Sequence, residues 1–172
     1  SDHGDMSGAH GGVWDKGPLM YEETYHIPLI VSCPWIQRPG GVCDRLVSNM
    51  DLATTTLDIA GIRPGAEQDG RSLLPLVKNP GADWSDQWVS EFHGHRYPYA
   101  QRMLRWDRYK FVFNVGDLNE LYDLRNDPWE MKNRIEDPAL SSVKKECKER
   151  MAKWILDSRD VLRRAIPILM NS

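Results

Sequence analysis

The chain has 172 residues, of which 41% are hydrophobic and 27% charged, with a formal net charge of -3 at pH 7. That is apolar material for one ordinary domain or a piece of a larger one, and charge this close to balance leaves no electrostatic footprint for nucleic acid. The longest apolar run, Ile27–Cys33, is broken by Pro28 and too short to span a bilayer, so neither a transmembrane helix nor a membrane partner is expected.

Residues 1–12 hold four glycines, two aspartates and two histidines, a composition unlike a start peptide. The chain is therefore expected to begin inside a longer protein, and its compartment is left open. Residues 1–18 read as an irregular polar loop. Ile27–Ser32 is β-branched and apolar, which predicts a buried strand, and the prolines and glycines of Pro34–Cys43 predict a loop. Ser48 and Asp51 form an S-x-x-D helix start. Leu52, Thr56, Ile59 and Ala60 then share a face and Gly61 supplies a stop, so a helix is expected over about 49–60.

Proline, glycine and polar residues between Pro64 and Trp84 mark a boundary, beyond which the pattern turns to strands. Gln87–Phe92, Arg102–Arg105, Tyr109–Phe113 and Glu120–Leu124 are the candidates; the middle two form a hairpin, and Asn126-Asp127-Pro128 closes the set. Asp137-Pro138 opens a helix on which Leu140, Val143, Cys147, Met151, Trp154 and Ile155 recur at helical spacing. Strands followed by one covering helix make a small α+β unit. The three cysteines, Cys33, Cys43 and Cys147, contain no CxxC pair and are expected to be buried free thiols.

Metal-capable side chains are densest at the start, in Ser1-Asp2-His3-Gly4-Asp5 with His10 and then Lys16. Adjacent carboxylate and imidazole suit several divalent ions, and a lysine nearby suits a dianionic group such as sulfate or phosphate. Spacing alone favours a polar loop with a capping aspartate and a solvated surface lysine.

The string SDHGDMSGAHGGVWDKGPLMYEETYHIPLIV resembles the C-terminal signature of the sulfatases, in the alkaline-phosphatase-like superfamily. LVSNMDLATTTLDIAGI, DGRSLLPL and QRMLRWDRYKFVF…ELYDLRNDPWEMKN follow it in the family's order, so the resemblance spans residues 1 to about 156. It implies an α/β fold over residues 1–75, the C-terminal segment of the catalytic domain. Residues 76–172 would then be a subdomain with a four-stranded antiparallel sheet and a C-terminal helix. It also implies sulfate-ester hydrolysis, with Asp2 and His3 as ligands of a divalent cation, usually calcium, and Lys16 on the sulfate. His10 would shape the loop or lie near the substrate, Asp5 would hold the loop through backbone hydrogen bonds, and His93 and His95 would border the pocket. Exposed loop histidines are the plainer alternative for the last two.

The family's nucleophile is a formylglycine made from a C/S-x-P-x-R motif, and no string here has that form, Cys33-Pro34-Trp35-Ile36-Gln37-Arg38 having its proline displaced. No Asp-Asp pair is present to complete the metal site. Catalysis would thus require the N-terminal part of the same domain, acting on a sulfated small molecule or carbohydrate. The alternatives are a phosphodiesterase or phosphonate hydrolase of the same superfamily, or a non-catalytic structural fragment.

Overall fold

A computed structural model describes residues 1–34, 36, 40–94 and 99–172. In chain order its elements are α1 (Ala9–Gly12), α2 (Glu22–Tyr25), α3 (Asn49–Ile59), α4 (Leu74–Lys78), β1 (Gln87–Phe92), β2 (Gln101–Trp106), β3 (Tyr109–Asn114), β4 (Glu120–Asp123), α5 (Ser141–Asp157) and α6 (Ile166–Asn171), with 3-10 turns at Pro138–Leu140 and Val161–Ala165. They fall into two compact units. One comprises residues 1, 3–27 and 87–172, the other residue 2 and residues 28–86.

In the first unit the four strands form an antiparallel sheet in sequence order. Every residue of β3 is buried, because both faces of that strand are covered. Tyr109, Phe111 and Phe113 point to a core completed by Leu104, Leu121 and, from α5 and α6, Cys147, Met151, Ile155 and Leu169. Each such side chain stabilises the fold by about 1.5–3 kcal/mol through removal from water. On the opposite face Val112 and Met103 meet Met20, with Tyr25 and Phe92 packed around them.

The Asp137 side chain accepts from Ala139 N at 2.9 Å, as the Asp-Pro signal anticipates, and residues 138–140 form a 3-10 turn before α5 begins at Ser141. The junction between α5 and α6 is fastened to β2 by a buried ion pair. Arg102 Nε and Nη2 donate to Asp160 Oδ2 and Oδ1 at 2.5 and 2.8 Å, and Asp160 Oδ1 also accepts from Leu162 N.

In the second unit α3 starts with the anticipated capping box. Ser48 Oγ accepts from Met50 N at 3.2 Å, and Asp51 Oδ2 accepts from Ser48 N at 2.8 Å. The other oxygen of Asp51 takes Arg71 N, binding the 70–73 segment along the helix. Gly70 passes so close that a Cβ there would lie 2.2 Å from Met50 O. A small core of Leu73, Leu76 and Trp84 follows, with Trp84 Nε1 donating to Leu46 O.

Two sequence expectations are corrected here. Ile27–Ser32 is not a buried strand: it has no strand assignment and Ile30 is 90% exposed. Apolar, β-branched composition is necessary for such a strand, but a ladder partner is too, and among the described residues β1–β4 pair only with one another. Cys43 is exposed and Cys33 half-buried, leaving Cys147 as the buried thiol, because the first two lie on or beside a Pro- and Gly-rich loop. On α3 the face shared by Leu52 and Ile59 is exposed. Among the described residues no helix is long and apolar enough to cross a membrane.

Candidate functional site

The opening loop is shaped by its backbone. Gly4 N donates to Thr24 O at 2.9 Å, and a Cβ on Gly4 would stand 1.9 Å from Glu23 O, so only glycine lets the two segments touch. This close approach carries His3 to Lys16. Lys16 Nζ donates to His3 Nε2 at 2.6 Å, while His3 Nδ1 lies 2.7 Å from Gly4 O. Nδ1–H therefore donates to the carbonyl and Nε2 presents its lone pair, the tautomer an imidazole needs to bind a cation through Nε2.

Of the other sequence candidates, Asp5 holds the loop as expected, its Oδ1 accepting from Ser7 N at 3.1 Å. Asp2, in the second unit, accepts through its main-chain oxygen from Asn49 Nδ2 at 2.8 Å. His10 has a left-handed backbone, φ 48°, stacks on Tyr21 with ring centroids 3.8 Å apart, and puts Nε2 3.5 Å from Glu23 Oε2. His93 follows β1 and sits 2.8 Å from Glu91 Oε2. His95 lies outside the described residues. Thus His3 and Lys16 are brought together, and His93 stands elsewhere against Glu91. Among the described residues no group of three or more His, Cys, Asp or Glu is gathered as a metal site.

Behind the loop lies a buried charge cluster that the strand pattern did not reveal. Lys110 on β3 has no exposed side chain and reaches Glu22 Oε1 at 2.7 Å, Glu130 Oε1 at 2.8 Å and Met20 O at 2.9 Å. Glu130 Oε2 accepts from Glu22 N, and Arg105 Nε adds a fourth charge 3.4 Å from Glu22 Oε1. Burial tends to raise the Glu22 carboxyl, but Lys110 and Arg105 outweigh it and hold Glu22 below the usual carboxylate range. For Glu130 burial prevails over Lys110 and the carboxyl is pushed up. Lys110 alternates with Tyr109 and Phe111, which on pattern alone places it on a solvated face; the only hint was its future partners, in the Y-E-E and D-P-W-E strings.

The family model for the N-sulphoglucosamine sulphohydrolase C-terminal region matches residues 8–157. The chain belongs to the sulfatase family. Its sulfatase relatives include the Delta 4,5-hexuronate-2-O-sulfatase of Bacteroides thetaiotaomicron, 35% identical over 167 residues, which cover 93% of this chain and 34% of the relative. Among solved structures, a protein in complex with its substrate D-glucosamine-2-N,6-O-disulfate superposes with a TM-score of 0.83 at 28% identity, covering 94% of this chain and 34% of that one. The phosphonate monoester hydrolase of Agrobacterium radiobacter gives a TM-score of 0.72 at 28% identity, covering 92% and 34%. This sulfatase chain thus spans about a third of the length of these relatives. It carries the C-terminal portion of the sulfatase fold, with the four-stranded antiparallel sheet and its helices described above.

Proposed function

We propose that this chain forms the cation- and sulfate-contacting C-terminal part of an enzyme that hydrolyses sulfate esters of carbohydrates. The observation that carries the reading is the meeting of Lys16 Nζ with the Nε2 lone pair of His3, on the loop that resembles the family signature. Asp2 and His3 would be two ligands of a divalent cation, with calcium the ion we favour. The donor chemistry fits, since His3 is held as the neutral Nδ1–H tautomer. A cation bound there would draw negative charge from the sulfate oxygens.

The chain's own residues then act as follows. His3 would hold the cation through the Nε2 lone pair that Lys16 now occupies, which would leave the Lys16 ammonium for the anion. Lys16 neutralises a sulfate oxygen or the departing oxygen, a preplaced charge that stabilises the transition state more than the ground state. Gly4 and the Thr24 carbonyl keep the His3 backbone in register. The formylglycine nucleophile would be supplied by sequence outside these residues. Residues 1–75 are proposed as the catalytic-domain segment and 76–172 as the subdomain, with His10, His93 and His95 as candidate substrate contacts. A sugar substrate is supported by the glucosamine disulfate bound to one structural relative and the hexuronate specificity in another's name.

The likeness to a phosphonate monoester hydrolase gives a second reading, because lysine and cation serve a phosphonate dianion equally well. The test is turnover by the full-length protein containing this chain, offered sulfated glucosamine, an aryl sulfate and a phenyl phosphonate ester. Sulfate release that falls at least about a hundredfold in Lys16→Ala supports the proposal. Turnover of the phosphonate ester alone would replace it with the second reading. Turnover by the chain on its own, abolished in Lys16→Ala, would contradict the assignment of the nucleophile to other sequence.

A further inference from the structure

Glu130 combines two features that local sequence does not explain. Its backbone is left-handed at φ 52°, uncommon for a residue with a side chain, and its carboxylate is fully buried. Such a conformation persists only where its surroundings over-determine it. Here the Asp127 carboxylate does so, accepting from Met131 N at 3.0 Å and Lys132 N at 2.9 Å, while Glu130 N donates to Asp127 O. The turn is built to aim one carboxylate inward.

From that carboxylate a path of hydrogen bonds, joined through the backbone of residues 19–24, reaches the candidate site. Glu130 Oε2 accepts from Glu22 N at 2.7 Å, and Lys110, paired with both glutamates, donates to Met20 O at 2.9 Å. Within the segment so fixed, Thr24 Oγ1 lies 2.8 Å from Leu19 O and 2.9 Å from Tyr21 O. Leu19 N in turn holds Lys16 O at 3.3 Å, and Thr24 O holds Gly4 N at 2.9 Å, next to the carbonyl that fixes the His3 ring. Both members of the His3–Lys16 pair therefore hang from residues 19–24.

We infer that Glu130, acting with Lys110, is a positioning residue for the His3–Lys16 pair: it touches neither, yet sets where ring and ammonium meet. This rests on the reading of His3 and Lys16 as site residues and adds a control point on a turn more than a hundred residues away along the chain, Glu22 and Glu130 being 108 apart. A residue that merely stabilised the fold would lower stability without altering that pair.

The experiment is nitrogen NMR of the His3 ring in the full chain, comparing the parent with Glu130→Gln, Glu130→Ala and Lys110→Met. Met151→Ala serves as the control, since it loosens the fully buried core on the other face of the sheet. The parent should show one tautomer, protonated at Nδ1 and hydrogen-bonded at Nε2. Glu130→Ala and Lys110→Met should lose that pattern and average the two tautomers. Glu130→Gln, which keeps an acceptor for Glu22 N but no charge for Lys110, should shift it partway. The control should keep the parent pattern. An unchanged His3 pattern in Glu130→Ala overturns the inference; if that variant does not fold, an unchanged pattern in Glu130→Gln does so. An equal shift in Met151→Ala also overturns it. Because the readout is ring geometry and needs no sulfate turnover, its failure is distinct from failure of the hydrolase reading, which the substrate assays test.

Discussion

Substituting Asp160 by alanine should cost this fold a large share of its stability. Arg102 and Asp160 side chains are 0% and 1% exposed, and the guanidinium is gripped through two parallel bonds of 2.5 and 2.8 Å. Removing the carboxylate leaves a buried cation with Phe92 O, Gln101 O and Glu91 Oε2, 3.3, 2.7 and 3.4 Å away. Breaking a buried pair from one side costs about 3–5 kcal/mol, and losing the cap on Leu162 N adds roughly 1 kcal/mol. The remaining acceptors offset part of this, so a loss of about 4 kcal/mol is expected, against a total of roughly 5–15. For a chain of this length that lowers Tm by about 10–15 °C. Thermal melts by circular dichroism and urea titrations would measure it. The double variant Arg102→Met, Asp160→Leu should be less destabilised than Asp160→Ala, because no unpaired charge remains buried. A loss under about 1 kcal/mol, or a double variant whose cost equals the sum of the two single variants, would refute the reasoning.

Acid should act on the same pair: burial tends to raise the Asp160 carboxyl, but Arg102 outweighs it and holds the group below its ordinary range. Its contribution is complete above the usual aspartate value, about 3.9, and lost as pH falls through the lower folded value; Asp160→Asn should flatten that part of a stability-against-pH curve. Gly4→Ala should drive a methyl group into Glu23 O and destabilise the chain by about 2 kcal/mol, seen as a lower urea midpoint. Burial pushes the Cys147 thiol up to about 12, so Cys43 should react with a thiol reagent at pH 8 while Cys147 stays protected until unfolding. Backbone amides of Ile27–Ser32 should exchange faster than those of Tyr109–Phe113; equal, slow exchange would contradict their exposure.

Much of the architecture was legible because it is local. The S-x-x-D cap, the Asp-Pro helix start and the alternation in Tyr109–Phe113 each depend on residues within a few positions, and each formed as read. Ile27–Ser32 misled because a strand is defined by its partner as much as by its side chains. At the site, the resemblance pointed to His3 and Lys16, and their contact follows from Gly4, whose role is close approach to Glu23 and Thr24. Lys110, Glu22 and Glu130 were illegible as a group because a lysine in an alternating strand reads as solvent-facing until the segment covering it is known. The positive φ of Glu130 has no sequence signal at all, since glycine or asparagine would be the expected residue there.

The meander of β1 to β4 has a bearing on the order in which the chain folds. Each pairing joins neighbours in sequence, so the sheet closes only short loops and can assemble quickly. The segment that docks on its other face is bound by contacts spanning 90 residues, from Lys110 to Met20, and 108, from Glu130 to Glu22. During synthesis the His3–Lys16 loop therefore leaves the ribosome well before the residues that anchor it. It must wait, solvent-exposed, until the last strand and the turn after it have emerged. The first residues of this chain to be made are thus fixed only after the sheet they lie on.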